Sequence, residues 1–226
     1  MLFRSKISSV KNVLESDDVF STIKCLKKLG VKIERLAPKR YRIFGKGLGS
    51  LNLNKKMDLN FGNSGTLARL LIGILSTTPN MEITVKGDYS LNKRSMKNLI
   101  ELMRKFGASF LPRNKYYFPL KLISSKFPLQ INYNSGVSAQ LKSAVILAGL
   151  NSYGKTKIFE KSISRDHTEN MLAKKKNVIQ INRKKWTIDI IGKKFLEPVN
   201  VTVPGYPSSA AFFTALTLLN SNSSII

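Results

Sequence analysis

The sequence of 226 residues is poor in the residues that form disulfides or bind transition metals. Cys25 is its one cysteine and His167 its one histidine, so an intramolecular disulfide framework and any multi-cysteine metal site are excluded. A structural zinc site needs about four nitrogen or sulfur ligands and is not expected here. We therefore predict no metal.

Long apolar stretches are also missing. No run approaches the roughly 18 residues that a membrane helix requires. The opening segment, Met1 to Ile7, is too short and too charged for a signal peptide. These absences predict a cytoplasmic protein that does not associate with membranes.

Acidic residues are scarce, with 13 against 38 basic residues and a formal net charge of +25. Such a balance suits nucleic acid, an anionic membrane surface, or small substrates that carry phosphate and carboxylate groups. The lysines are spread along the chain, which is typical of a solvated basic surface rather than one dense patch. With 42% hydrophobic residues, the composition is that of a globular protein with one large domain or two small ones.

Two kinds of helical segment alternate along the sequence with a period of about 70 residues. The first kind is apolar and rich in small residues, at 63–75, 138–150 and 208–216. The second is amphipathic, at Ser16 to Leu29, Lys93 to Phe106 and Arg165 to Lys176, and is followed by Gly30, Gly107 and Asn177 in the positions of C-caps. Short β-like runs lie between them, at 82–85, 157–159 and 187–191. This pattern predicts an α+β fold of repeated units in which the apolar helices are buried.

The apolar helices begin with Ser, Thr, Gly or Asn. These residues cap helix N-termini, where free N–H groups and the helix dipole favour anions. Several such N-termini on one side of the domain would form a phosphate-binding surface. Ordinary capping explains the same residues, and both interpretations stay open at this point.

Six stretches, in order along the chain, resemble motifs of the enolpyruvyl transferase family, in its shikimate branch. They are Leu14 to Asp18, Gly62 to Thr66 with Arg69, Lys93-Arg94 with Met96-Lys97, Ser138 to Gln140 with Lys142 to Ala144, Ser164 to Glu169, and Val203 to Gly205 with Ser208 to Phe213. The resemblance implies a domain of repeated βαβαββ units, with buried helices and surrounding sheets. It also implies transfer of the enolpyruvyl group of phosphoenolpyruvate to the 5-hydroxyl of shikimate 3-phosphate through a tetrahedral intermediate, with release of phosphate. The family uses no metal or organic cofactor, and a monomer is expected.

The resemblance assigns site residues at two places in the sequence. For phosphoenolpyruvate it implies Asn63, Gly65, Thr66 and Arg94, where a side chain on Gly65 would obstruct the ligand and Arg94 would pair with carboxylate or phosphate. For shikimate 3-phosphate it implies Ser138, Ala139, Gln140, Ser164 and Arg165. His167 belongs to a helix start in this pattern, and Asp166 and Glu169 are interpreted as first-turn residues rather than catalytic acids.

Some features of the family are not found in the sequence. The family opens with a Lys-Ser loop, which no segment before Leu14 matches, and it continues through a second domain that carries the proton-transfer groups. We therefore expect residues 1–200 to form a first domain without its N-terminal strand and Lys-Ser loop, and residues 201–226 to begin a second. The chain would then be the N-terminal half of an enzyme, without catalytic residues of its own and inactive alone.

Three alternative functions stay open at this point. A sister transferase that acts on UDP-N-acetylglucosamine typically uses a loop cysteine, whereas Cys25 falls in an amphipathic helix and is interpreted as a buried thiol. The net charge and Tyr116 to Phe118, beside Arg113 and Lys115, would suit a basic nucleic-acid-binding module. A decayed gene remnant is the third.

Overall fold

The computed structural model of the protein describes residues 5–51, 57–173, 177–205, 215–217 and 219. In chain order, the strands in these residues are β1 (Ser5–Lys11), β2 (Lys32–Ala37), β3 (Arg40–Lys46), β4 (Met57–Asn60), β5 (Glu82–Lys86), β6 (Ser109–Leu111), β7 (Leu120–Ile123), β8 (Asn132–Ser135), β9 (Lys155–Glu160), β10 (Ile179–Asn182), β11 (Thr187–Ile191) and β12 (Asn200–Thr202). The helices are α1 (Asp17–Lys28), α2 (Gly65–Ser76), α3 (Tyr89–Asn92), α4 (Lys97–Lys105), α5 (Ala139–Asn151) and α6 (His167–Leu172).

The described strands form three four-stranded sheets with one shared strand order. The orders are β4-β5-β7-β6, β8-β9-β11-β10 and β12-β1-β3-β2. In each sheet the first two strands are parallel and the other pairs are antiparallel. α2 connects β4 to β5 and α5 connects β8 to β9, since parallel neighbours need a crossover. The predicted α+β fold of βαβαββ units is confirmed.

The two apolar helices pack directly against each other at the centre of the molecule. Most side chains of α2 and α5 are buried, as expected for helices that are apolar on nearly all sides. Their backbones approach closely at Gly73, where a Cβ atom would lie 2.7 Å from the carbonyl oxygen of Ala144. This contact holds the N-termini of α2 and α5 in a fixed relation.

The predicted amphipathic helices are confirmed with changed bounds. Gly30 and Gly107 follow α1 and α4 with φ of +78° and +93°, as C-cap glycines do. α4 begins at Lys97 rather than Lys93, because the Met96 amide donates to the carbonyl oxygen of Tyr116, and the separate helix α3 precedes it.

The third amphipathic helix is shorter than predicted. α6 starts at His167 and has its C-cap at Ala173, so Asn177 is not its C-cap residue. Residues 174–176 and most of the predicted apolar helix Ser208 to Leu216 lie outside the described residues, of which 215–217 are helical. The predicted domain boundary after residue 200 falls within β12, which pairs with β1.

An apolar groove of about 620 Å³ is lined by residues of α1, α2, α5 and α6. Leu26, Leu71, Leu147 and Met171 are among the residues that line it.

The parallel pair β12 and β1 comes from opposite ends of the described chain, so no described helix connects these two strands as α2 and α5 do in the other sheets. In the part of the chain that the structure describes, no helix combines the length and hydropathy needed to cross a bilayer.

Candidate active site

Two guanidinium groups converge at the N-terminus of α2. Ser64 caps the helix, its Oγ accepting from the Leu67 amide at 3.2 Å. Arg69, one helical turn after Gly65, donates to the Gly65 carbonyl oxygen at 2.9 Å. Arg94, between α3 and α4, donates to Asn63 Oδ1 at 3.0 Å. The helix start thus carries both free N–H groups and two fixed cations.

Gly65 lies directly beneath the two arginines. A Cβ atom at this position would lie 2.8 Å from Arg69 Nη1 and 3.4 Å from Arg94 Nη1. The absence of a side chain lets both guanidinium groups approach the backbone of the helix start. A side chain on Gly65 would therefore meet these guanidinium groups, whereas its predicted obstruction of a ligand stays a prediction.

The electrostatics of this cluster favour an anion. Burial, and secondarily the charge of Arg94, lower the pKa of Arg69 from its ordinary value. No carboxylate among the described residues forms an ion pair with either guanidinium. A bound carboxylate or phosphate would relieve the repulsion between the two cations and could accept bidentate hydrogen bonds.

The N-terminus of α5 lies beside that of α2. Ser138 caps α5, with its Oγ accepting from the Leu141 amide at 3.4 Å, so its hydroxyl proton is still available to a ligand. Gln140 Nε2 donates to Thr66 Oγ1 at 2.8 Å. This hydrogen bond joins the residues predicted for the two different substrates.

A cavity of about 180 Å³ opens at this junction. It is lined by Thr66, Leu70, Ala139, Gln140, Ser143, Arg165, His167 and Thr168. Of the predicted site residues, Thr66, Ala139, Gln140 and Arg165 therefore share one cavity. Asn63, Gly65 and Arg94 surround the start of α2 beside it.

The loop before α6 carries Ser164 and Arg165, and Arg165 lines the 180 Å³ cavity. Ser164 Oγ is buried and has no hydrogen-bond partner among the described residues. An unpaired buried hydroxyl costs free energy unless a ligand satisfies it. His167 is the first residue of α6, as predicted, and Asp166 pairs with Arg183 at 3.3 Å.

Sequence reasoning missed two features of the site. Arg69 stood in a recognised motif but was not assigned, although its spacing of four residues from Gly65 places it on the same helix face. Lys142 was also missed, although a lysine inside an apolar helix signals buried carboxylate partners. Glu169 lies in the first turn of α6 as predicted, but it is buried against Lys142 at 2.6 Å, which the helix-dipole interpretation did not include.

The alternative functions find little support in the geometry. Cys25 is buried in α1, donates to the Asn60 carbonyl oxygen at 3.2 Å, and burial raises its pKa to about 11. It is a packed thiol, as predicted, and not a loop nucleophile. Of the three aromatic residues proposed to stack on nucleic-acid bases, Phe118 is buried and the Tyr116 hydroxyl donates to Glu101 at 2.8 Å. Tyr117 is the exposed ring of the three, and stacking of successive bases needs more than one exposed ring. The described residues contain no cluster of ligands for a metal ion.

Comparison with known proteins identifies the family. The family profile described as EPSP synthase (3-phosphoshikimate 1-carboxyvinyltransferase) matches residues 1–226. The chain belongs to the EPSP synthase family. A 3-phosphoshikimate 1-carboxyvinyltransferase of Paramagnetospirillum magneticum is 39% identical over 96% of this chain and 49% of its own length. The protein of that name in Bacillus subtilis is 40% identical over 97% of this chain and 50% of its own length.

Solved structures of EPSP synthase give the same result for the fold. The enzyme from Acinetobacter baumannii superimposes with a TM-score of 0.84 at 32% sequence identity, over 95% of this chain and 48% of the other. The chain thus spans about half the length of the EPSP synthases it matches. The resemblance stated from the motifs is confirmed at the level of family and fold.

Proposed function

We propose that the chain forms the substrate-binding half of a 3-phosphoshikimate 1-carboxyvinyltransferase. The enzyme would transfer the enolpyruvyl group of phosphoenolpyruvate to the 5-hydroxyl of shikimate 3-phosphate and release phosphate. The main support for the proposal is the hydrogen bond from Gln140 Nε2 to Thr66 Oγ1, at 2.8 Å, because each of these residues belongs to a different predicted subsite. Adjacent subsites are what a direct transfer between two bound substrates requires.

The phosphoenolpyruvate subsite is proposed at the start of α2. Arg94 and Arg69 would pair with the carboxylate and phosphate groups, while the helix N-terminus adds N–H donors and a favourable dipole. Asn63 would orient Arg94 through their hydrogen bond at 3.0 Å, and Gly65 would leave room for the ligand. Thr66 would link this subsite to the next.

The shikimate 3-phosphate subsite is proposed at the start of α5 and in the loop before α6. Ser138 would donate its hydroxyl proton, Ala139 its backbone N–H, and Gln140 would contact the ring hydroxyls. Ser164 and Arg165 would face the phosphate. Residues 1–200 are proposed as the first domain of a cytoplasmic, monomeric enzyme that uses no metal or organic cofactor.

The first test is binding of phosphoenolpyruvate by the 226-residue chain, measured by isothermal titration calorimetry. We expect Arg94→Gln to weaken the affinity about tenfold or more, because it removes a charge-assisted bidentate contact. Arg40→Gln is the matched control, since it removes the same charge from an exposed position on β3. Equal affinity in the two variants would contradict the assignment of Arg94.

Shikimate 3-phosphate gives the second test in the same instrument. We expect the chain to bind it, and Ser138→Ala to weaken that binding while leaving phosphoenolpyruvate affinity within about twofold. Ser138→Ala also removes a helix cap, so the free energy of unfolding is measured in parallel. A chain that binds neither substrate would overturn the proposed function.

A further inference from the structure

Lys142 is a fully buried lysine in the central helix α5. Its side chain is 1% exposed, although ammonium groups are almost never removed from water without partners. Two carboxylates supply those partners: Lys142 Nζ lies 2.8 Å from Glu160 Oε1 and 2.6 Å from Glu169 Oε1. Burial alone would lower the pKa of Lys142, but the hydrogen bond to Glu160 and the attraction of the Glu169 carboxylate outweigh it and raise the pKa. The group therefore stays charged.

The two carboxylates belong to different elements. Glu160 ends β9, and Glu169 lies in the first turn of α6 with an exposure of 2%. One ammonium group thus fixes both ends of the loop that connects β9 to α6. A hydrogen bond from Thr168 Oγ1 in α6 to Ser143 Oγ in α5, at 2.8 Å, is a second contact between these two helices and supports the arrangement.

This loop carries Ser164 and Arg165. Its anchoring lysine follows Gln140 by two residues on α5, so the loop is tied to the helix whose N-terminus borders the 180 Å³ cavity. We propose that Lys142 is a positioning residue, which through Glu160 and Glu169 holds Ser164 and Arg165 in place for the phosphate group of shikimate 3-phosphate. This inference rests on the proposed function and extends it to residues that do not touch the substrate.

Stability alone is a poor explanation of the cluster. Replacing a buried ion pair by apolar residues of similar volume is often neutral or stabilising, because desolvation offsets the attraction between the charges. A buried ammonium group between two carboxylates does, however, fix one defined arrangement of the elements that it joins. The phosphate subsite needs such an arrangement, since its contacts come from a loop.

Binding of shikimate 3-phosphate and of unphosphorylated shikimate separates positioning from a general structural role. Glu160→Gln removes one charged contact and retains the pair between Lys142 and Glu169, so this variant is expected to fold. We expect it to weaken shikimate 3-phosphate binding about tenfold and shikimate binding less than about twofold. The affinity of Lys142→Arg for shikimate 3-phosphate should lie between those of Lys142→Met and the unsubstituted chain, because arginine keeps the charge.

Lys155→Met is the matched control, because Lys155 also lies on β9 and pairs with Asp189 at 2.9 Å, but is half-exposed. It should leave both affinities unchanged. Amide hydrogen exchange without ligand provides an independent readout: in Glu160→Gln, residues 161–168 should exchange faster while the core of α5 stays protected. Binding of shikimate 3-phosphate should restore part of the protection.

The outcomes distinguish the two proposals. If the unsubstituted chain does not bind shikimate 3-phosphate, the proposed function fails, and the positioning role fails with it. If the chain binds and Glu160→Gln lowers both affinities equally, or neither, the positioning role alone is overturned. A selective loss of the phosphorylated ligand, with faster exchange confined to the loop, supports it.

Discussion

Replacing Gly73 with alanine is expected to destabilise the protein, although alanine is the better helix former. A Cβ atom at Gly73 would lie 2.7 Å from the carbonyl oxygen of Ala144 and 3.1 Å from its Cα. Both neighbouring atoms are backbone atoms of α5, so they can move only if the two central helices separate. Overpacking of this kind costs about 1–3 kcal/mol.

The helix propensity of alanine offsets about 1 kcal/mol of that cost. Because the obstacle is rigid backbone, we place the clash in the upper half of its range and expect a net loss of about 1–2 kcal/mol. For a chain of this size, that corresponds to a decrease in Tm of about 2–8 °C. Circular dichroism melting curves of the purified variant measure it directly.

Gly149→Ala is the matched control, because Gly149 lies inside the other central helix, α5, and its replacement gains the same helix propensity. The three atoms nearest to its Cβ would belong to the side chain of Thr156, at 3.1–3.4 Å, which is a looser contact than the 2.7 Å at Gly73. We expect its Tm to lie above that of Gly73→Ala. If Gly73→Ala melted at or above the unsubstituted protein, the close contact between α2 and α5 would be wrong.

Three further predictions concern other parts of the molecule. Hydrogen bonds from Arg35 and Tyr41 lower the pKa of Glu15 from its ordinary 4.5 to about 2. The ionised Glu15 therefore stabilises the folded state above the unfolded-state pKa, and this stabilisation is lost as pH falls from about 4.5 to about 2. Glu15→Gln should make the free energy of unfolding less dependent on pH over that window, and an unchanged dependence would contradict the assignment. Cys25, with a pKa raised to about 11 by burial, should react with a thiol reagent at pH 8 only after unfolding, as followed by absorbance; rapid reaction in the native protein would refute its burial. The apolar groove should bind the dye ANS, and Leu147→Glu should reduce the fluorescence at equal secondary structure; equal fluorescence would place the dye elsewhere.

Helical periodicity predicted the central architecture because it reflects burial directly. The apolar run from Leu67 to Leu75 became α2, and the run after Ser138 became α5, capped by Ser64 and Ser138 respectively. The period of the repeat also predicted that the two helices occupy equivalent places in equivalent units. Family motifs then added the assignments at Gly65 and Arg94, which periodicity alone could not provide.

Pairwise contacts between distant residues were beyond the sequence. No local pattern shows that Lys142 meets Glu160 and Glu169, or that Gln140 reaches Thr66, because these contacts depend on how α5 packs against β9, α6 and α2. Helix bounds also shifted where tertiary bonds compete with helical ones. The Met96 amide, which donates to Tyr116 rather than within a helix, delays α4 to Lys97.

The central claim is that the starts of α2 and α5, with the loop before α6, form one site for two anionic substrates. A crystal structure of the chain with shikimate 3-phosphate tests it most directly. The account predicts the phosphate group within hydrogen-bond distance of Ser138 and Ser164, and the ring against Gln140. A ligand bound on another surface, with Ser164 still unpaired, would contradict it.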